Sequence, residues 1–299
     1  MADAPAGSNW GRWGADDERG ALNHLDPATV LGGIGAARTG TVYPLGLPVG
    51  RRDQPTLDYR GPAQRLTLTN HTDKRMLEQF GGGGDVGSCE DVLIIPSHNA
   101  THMDALSHVY CGEGIYNGYP ADNSTAYEGA ARCGIEHVGA VVTRGVLVDV
   151  AGHQGVDSLE AGHAISVDEL RAAMDAQSVE LRAGDAVLVR TGWVEQFYAT
   201  GQEMSLEQPG IGIDVARMLG DADVTLVGAD NTAVEAMPYR DGHFMEAHVE
   251  LLARRGIYLV EHLDLSALAR DGCHEFLFVA TPLRVIGASA SPVNPVAIA

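Results

Sequence analysis

The sequence is poor in basic residues and has no long apolar run. It carries 20 Lys and Arg against 40 Asp and Glu, a formal net charge of −20. Such a surface repels phosphate backbones and anionic lipids, which argues against nucleic-acid and membrane partners. No stretch of about 18 apolar residues is present to span a bilayer. The start, Met1-Ala2-Asp3-Ala4-Pro5, lacks a basic segment followed by an apolar one, so we expect no signal peptide and a cytoplasmic protein.

Several catalytic motifs are also missing. No Gly-x-Ser-x-Gly occurs, which argues against a serine hydrolase. The glycine run Gly81–Gly84 is not followed by Gly-Lys-Ser/Thr, so it is a weak candidate for a phosphate-binding loop. The cysteines show no C-x-x-C spacing and no recognisable catalytic context; we expect free thiols, although their even number leaves disulfides open. They are Cys89, Cys111, Cys133 and Cys273.

The chain has the length and composition of a globular protein. Its 299 residues are 45% hydrophobic and 20% charged, enough to bury a large core. Length permits one large domain or two small ones, but we find no internal repeat and no long linker. We therefore expect a single domain over residues 1–299. Residues 1–20, rich in Gly, Trp and charge, are expected to form an irregular N-terminal arm.

Strand and helix patterns alternate along the chain, which predicts an α/β fold. Asp26-Pro27 predicts a helix over roughly 27–37, and the capping box at Ser166 predicts another to about Gln177. Helical spacing predicts a third helix over Gly242–Arg255, ended by Gly256. Apolar runs predict buried strands. These runs are Val146–Val150, Ala186–Arg190, Val224–Gly228, Ile257–Glu261, Phe276–Ala280 and Leu283–Ile286.

The most informative segment is Ser97–His108, which holds three imidazoles and one carboxylate. An even spread of 12 His over 299 residues would place far fewer there. Imidazole and carboxylate together are the ligands of divalent metals such as zinc or manganese. The segment therefore predicts a metal site that activates water, against the alternative of unrelated surface or core histidines. The residues concerned are His98, His102, Asp104 and His108.

The spacing within this segment favours extended chain over helix. All offsets from His98 are even, so an extended segment would point all four side chains to one face. Fully extended, ten residues would span about 33 Å, too far to share one ion. His102 and Asp104 alone are close enough, so bends must bring in the outer histidines. Small residues at Ala100 and Ala105 permit such bends.

Further ligands are expected from the second half of the chain. His248 lies in a predicted helix, and Glu261 ends an apolar strand, where a carboxylate is costly unless it is paired or bound to metal. The alternative is that His248 is an ordinary helix-face residue and Glu261 a solvated strand end. Spacing alone does not decide between the two.

The segment His98–His108 resembles the signature of the cyclase family of metal-dependent hydrolases, which includes bacterial kynurenine formamidase and isatin hydrolase. That signature reads His-x-Gly-Thr-His-x-Asp-x-Pro-x-His. Ala100 and Leu106 replace its Gly and Pro, which separates this chain from the small formamidases and matches the longer members. Flanking stretches resemble the longer members too, so the similarity covers nearly the whole chain. They are Trp13–Asn23, His248–Glu261, Ala280–Arg284 and Pro292–Pro295.

The resemblance implies a β-barrel-like mixed sheet surrounded by helices, assembled as a homodimer or homotetramer. It implies one or two divalent ions, manganese or zinc, per chain. By position, the direct metal ligands are His98, His102 and Asp104. A second metal position is completed by His248 and Glu261, and Asp104 is able to bridge the two positions. His108 matches the acid/base histidine. Substrate-binding aromatics are placed more loosely at Trp10 or Trp13.

The function that follows is metal-dependent hydrolysis of a small molecule, aromatic ones included. Activated water would attack an amide, cyclic amide, imide or ester carbonyl, with His108 as acid and base. The enzyme class expected is an amidohydrolase of the formamidase or cyclic-amidase type. The alternative is a non-catalytic protein that binds a metal or small molecule on the same fold; His108, surplus to a three-ligand binding site, argues against it.

Overall fold

The computed structural model describes residues 3–50, 54–73, 78–81, 86–112, 114–201, 204–239 and 242–299. Gly82–Gly84 of the glycine run lie outside these ranges. In chain order the strands are β1 Val42–Pro44, β2 Gln64–Thr69, β3 Glu90–Ile94, β4 His102–Asp104, β5 Ser124–Thr125, β6 Gly129–Ala130, β7 Val141–Asp149, β8 Ala164–Ile165, β9 Ala186–Arg190, β10 Gly210–Ile211, β11 Leu226–Ala229, β12 Tyr258–Glu261, β13 Glu275–Ala280, β14 Ala290–Pro292 and β15 Val296–Ile298. The α-helices are α1 Pro27–Ile34, α2 Val150–Gln154, α3 Val167–Ala176, α4 Trp193–Ala199, α5 Ile213–Asp221, α6 Glu246–His248 and α7 Ser266–Arg270. A π-helix, Val249–Arg255, continues α6, and 3₁₀ turns lie at Gly20–His24, Tyr116–Gly118, Ala121–Asn123 and Ile135–His137.

One mixed sheet of nine strands organises the described chain, in the order β1-β15-β13-β7-β9-β11-β12-β4-β14. Its centre, β7-β9-β11-β12, is parallel, and both flanks are antiparallel. The central strands are apolar almost throughout and buried, as expected for parallel strands covered on both faces. The sheet curls into half a barrel with helices around it, which confirms the predicted fold class. Three two-stranded pairs, β2-β3, β5-β6 and β8-β10, complete the strands.

Local signals for helix starts are confirmed. The Asp26 side chain accepts a hydrogen bond from the Thr29 amide and caps α1, which ends three residues before the predicted limit. Ser166 and Glu169 form the reciprocal capping box of α3. Both motifs act within one helical turn, so the sequence alone specifies them.

Of two further predictions, one is right in part and one is wrong. The helix predicted over Gly242–Arg255 ends at Gly256 as predicted, but it begins only at Glu246, because Met245 has φ 54° and interrupts helical backbone, and its second part is π-helical. The strand predicted over Leu283–Ile286 is absent from the described chain: Val285 donates to the Leu283 carbonyl in a tight turn, and these apolar side chains are exposed. The chain forms β14 and β15 instead.

The N-terminal segment packs against the end of the π-helix. The Asn9 amide donates to the Arg254 carbonyl at 2.9 Å, and Trp10 Nε1 donates to the Ala253 carbonyl at 2.6 Å. Gly20 lies against Gly256 so closely that a Cβ on Gly20 would approach the Gly256 carbonyl to 2.3 Å. This contact requires glycine at both positions, each of which has a positive φ.

The prediction of free thiols is confirmed for all four cysteines. Among the described residues, every helix is too short or too polar to cross a lipid bilayer.

Candidate metal centre

Strands β4 and β12 bring the first three ligand-type side chains together. The two strands pair antiparallel, with Glu261 directly opposite His102. His102 and Asp104 lie on one face of β4, as their even spacing predicts, and all three side chains are buried. His102 Nε2 lies 3.1 Å from Glu261 Oε2 and 3.7 Å from Asp104 Oδ1.

Bends on both sides of β4 bring in the outer histidines. Ala100 has φ 51°, and the His108 amide donates to the Ala105 carbonyl in a turn, so the two small residues lie where the chain bends. His98 Nδ1 lies 2.8 Å from Asp104 Oδ1. The rings of His98 and His108 have centroids 4.1 Å apart.

His248 approaches the same point from α6. Its Nε2 lies 3.4 Å from Glu261 Oε1 and 3.9 Å from Asp104 Oδ2. His248 is therefore not an ordinary helix-face residue, and Glu261 is not a solvated strand end. All six chemistry-bearing residues, from His98 to Glu261, meet in one cluster.

The geometry of the cluster fits divalent metal. Two three-residue groups each offer ligand atoms within 4.8 Å of one another: His98, Asp104 and His108, and Asp104, His248 and Glu261. Two ligand atoms about 2.1 Å from one ion are about 3.0–3.4 Å apart. The separations of Glu261 from His102 (3.1 Å) and from His248 (3.4 Å) fall in that range, whereas those of Asp104 from the imidazoles run from 2.8 to 3.9 Å. Asp104 belongs to both groups, with one oxygen toward each.

Unsatisfied polar atoms provide an independent test of the fit. Of the ten buried side-chain polar atoms without a hydrogen-bond partner within the described chain, four belong to the cluster: His98 Nδ1, His102 Nε2 and both carboxylate oxygens of Asp104. The close approach of His98 Nδ1 to Asp104 therefore lacks hydrogen-bond geometry. Buried polar atoms of this kind are costly unless another group satisfies them. Their convergence on one point fits a cation held by lone pairs.

Burial and neighbouring charges give the ionisable groups of the cluster different charge states. Burial raises the pKa of Asp104, but the imidazoles of His108 and His98 outweigh it and lower that pKa to about 2. Burial, assisted by nearby His98 and His248, lowers the pKa of His108 to about 3, so His108 is neutral at pH 7. The pKa of Glu261 lies well below its ordinary value because His102 and His248 overcome the effect of burial. The site thus combines ionised carboxylates with a neutral imidazole.

Glu235, which the sequence analysis missed, orients His248. His248 Nδ1 lies 2.5 Å from Glu235 Oε1, and the backbone amides of Ala247 and His248 both donate to this carboxylate at 3.2 Å. Burial alone would lower the pKa of His248, but the carboxylates of Glu235 and Glu261 outweigh it and raise that pKa to about 10. Glu235 lies six residues after β11 in a segment that also holds Asp230 and Asn231, so its residue type gave no signal of this role.

The Ala100 carbonyl likewise orients two other imidazoles, those of His102 and His262. It lies 2.9 Å from His102 Nδ1 and 3.2 Å from His262 Nδ1. A carbonyl only accepts, so both Nδ1 atoms carry protons, which leaves His102 Nε2 as a bare lone pair facing the cluster. His262 Nε2 then accepts from Thr232 Oγ1 at 2.9 Å. The ring of His262 also stacks on Trp193, with centroids 5.9 Å apart.

The two N-terminal tryptophans contact residues that do not belong to the cluster. Trp10 is held by the Ala253 carbonyl, and Trp13 packs edge-on against His24 with centroids 5.2 Å apart. Their role in substrate binding stays a prediction.

Comparisons with known proteins agree with this architecture. The model of the Cyclase family matches residues 43–236. A solved structure described as a novel cyclase is 33% identical, with a TM-score of 0.88, over 98% of this chain and 97% of its own. Comparison with curated proteins finds no match.

Two more distant structures share the fold. Isatin hydrolase A from Labrenzia aggregata, bound to benzyl benzoate, is 18% identical with a TM-score of 0.66, over 93% of this chain and 98% of its own. A structure described as a predicted metal-dependent hydrolase from Bacillus stearothermophilus is 20% identical with a TM-score of 0.54, over 86% of this chain and 97% of its own. The family match over most of the chain, together with the similarity to the novel cyclase, shows that this protein belongs to the Cyclase family.

Proposed function

We propose that this protein is a metal-dependent hydrolase that cleaves a carbonyl compound of small size. The convergence of unsatisfied imidazole and carboxylate atoms around Asp104 is the observation that carries the proposal. The metal would be manganese or zinc, one or two ions per chain. The ligands would be His98, His102, Asp104, His248 and Glu261.

The bond cleaved would be an amide, cyclic amide, imide or ester. The structural neighbours named isatin hydrolase and metal-dependent hydrolase support hydrolysis, and isatin is a cyclic amide. At 18% and 20% identity, these neighbours show only a shared fold, so the proposed substrate class rests on the chemistry of the site. We propose C–N bond cleavage first, because a neutral imidazole can take a proton from the attacking water and return it to a leaving nitrogen, which departs poorly without one.

His108 supplies that proton transfer. A divalent cation bound by the cluster would polarise a carbonyl oxygen and lower the pKa of a water beside it. His108 is neutral at pH 7, so a ring nitrogen accepts the proton of the attacking water and then donates it to the leaving nitrogen or oxygen. Asp104 and Glu261, both ionised, stabilise the imidazolium that forms between these steps.

The decisive experiment combines elemental analysis with a substrate panel. Purified protein supplied with manganese or zinc is assayed on N-formyl anilines, cyclic imides and lactones. His108→Ala should keep its metal and lose activity by about 10²- to 10⁴-fold. The exposed His153 provides a control: His153→Ala should change neither.

Other outcomes would contradict parts of the proposal. Loss of metal from His108→Ala would make His108 a ligand, as its place in one of the two ligand groups permits. Full activity after chelation would exclude the metal mechanism. Tight metal binding without turnover on any substrate would favour a non-catalytic binding protein.

We also propose that the chain works as one domain over residues 1–299 and as a homodimer or homotetramer. Light scattering on purified protein measures the assembly directly; a monomeric mass would contradict it.

A further inference from the structure

Arg60 reaches the cluster from the segment that joins β1 to β2. Its Nη1 donates to the backbone carbonyl of His98 at 2.7 Å, and its Nε donates to Tyr59 Oη at 3.1 Å. The side chain is half-buried, and its guanidinium carbon lies over the Tyr59 ring, 5.4 Å from the ring centroid. A permanent positive charge therefore contacts the backbone of a proposed ligand residue.

The partners of Arg60 differ from those of the well-buried arginines. Each of the well-buried arginines contacts two carboxylates: Arg144 with Asp185 and Glu275, Arg190 with Asp149 and Glu195, and Arg255 with Glu250 and Asp221. Arg60 contacts only neutral oxygens, and no carboxylate of the described residues lies within 4.0 Å of it. A guanidinium has five N–H donors, so three of them remain for another acceptor.

Arg60 is anchored on the segment that carries the proposed ligands. The carbonyl that its Nη1 contacts belongs to His98, whose Nδ1 lies 2.8 Å from Asp104 Oδ1. The next residue, Asn99, donates from Nδ2 to the Gly61 carbonyl at 3.1 Å. These contacts hold Arg60 and Gly61 against the start of the ligand-bearing segment.

We propose that Arg60 binds a carboxylate of the substrate, so that the substrate is a small organic acid with its anionic group close to the bond cleaved. A planar guanidinium with spare parallel N–H groups is suited to two-pronged carboxylate binding. In a chain with net charge −20, an anion needs such a local partner to approach the site. The proposal rests on the proposed hydrolase function and narrows its substrate class.

A matched pair of substrates tests this directly. N-formylanthranilate and N-formylaniline differ only in the ortho carboxylate. Metal-loaded protein should prefer the acid by roughly 10- to 100-fold in kcat/KM, mainly through KM. Arg60→Met should abolish the preference, and Arg60→Lys should retain part of it. Arg65→Met provides the control, because the exposed Arg65 pairs with Asp91 on the β2-β3 ribbon.

Binding of a non-reacting anion gives a second readout that does not require turnover. Calorimetry on zinc-loaded protein should show anthranilate binding that weakens by 10-fold or more in Arg60→Met and is unchanged in Arg65→Met. If no panel member is hydrolysed, the hydrolase proposal fails, yet calorimetry still decides the role of Arg60.

A merely structural Arg60 would give a different pattern. Arg60→Met would then lower kcat/KM equally for both substrates, or would bind anthranilate as tightly as wild type. Either result, or a wild-type protein that shows no preference for the acid and no anthranilate binding, would overturn the proposal. Should Arg60→Met fail to fold, Arg60→Lys and the wild-type substrate pair supply the same comparison.

Discussion

Replacing Glu235 with Gln tests whether the cluster is built to hold a metal. Glu235 accepts from His248 Nδ1 and from two backbone amides, and it is buried. Gln keeps the size but removes the charge and weakens the acceptor that fixes the His248 ring. Partners of this kind typically contribute 10- to 100-fold to metal affinity, or about 1.4–2.7 kcal/mol. We expect a loss of that size in Glu235→Gln.

The assay is competition between the protein and a chelator of known affinity, with zinc content measured by elemental analysis. Glu250→Gln is a matched control, because Glu250 is a buried carboxylate in the π-helix that directly follows His248 but pairs with Arg254 and Arg255. It should lower the melting temperature and leave metal affinity unchanged. Equal metal affinity in Glu235→Gln and wild type, or an equal loss in both variants, would refute the reasoning.

Two further predictions concern the metal-free protein and the backbone at Ala100. The pKa of His248 rises from about 6.5 unfolded to about 10 folded, so its stabilising charge is fully present below pH 6.5 and is lost as the pH rises through 10. Chemical denaturation of metal-free protein should show the free energy of unfolding fall by up to about 5 kcal/mol over this pH range, and His248→Gln should remove that fall. A wild-type free energy of unfolding that does not change with pH would contradict the prediction. Ala100→Gly should destabilise the protein by about 1–2 kcal/mol less than Ala105→Gly, because only Ala100 has a left-handed φ, which costs a residue with a Cβ about that much. Equal melting temperatures of the two variants would show that the backbone at Ala100 carries no such strain.

Elements whose signals are local were predictable from the sequence. The caps at Asp26 and Ser166 each act within one turn, and the apolar run Ala186–Arg190 forms a strand with the same bounds as predicted. Leu283–Ile286 shows the limit of such reasoning, because an apolar run becomes a strand only where a partner strand is in reach. β14 takes that place by pairing with β4.

The candidate site divides in the same way. The spacing in His98–His108 carries the prediction of shared ligands, since even offsets place His102 and Asp104 on one face of a strand whatever the rest of the fold does. The orienting partners were not predictable. Nothing in the local sequence distinguishes Glu235 from a solvated carboxylate, and a backbone carbonyl such as that of Ala100 carries no residue-type signal at all.

What the sequence determined by itself is therefore the kind of chemistry: which side chains have lone pairs for a cation, and which strand presents two of them together. Only the tertiary structure decided that His248 and Glu261 reach Asp104, because the pairing of β4 with β12 and the position of α6 bring together residues that are far apart in the sequence. It also decided that Arg60 stands beside His98 without a carboxylate partner among the described residues. The residue type at each position is given by the sequence, whereas contacts between residues far apart in the chain exist only in the packed fold.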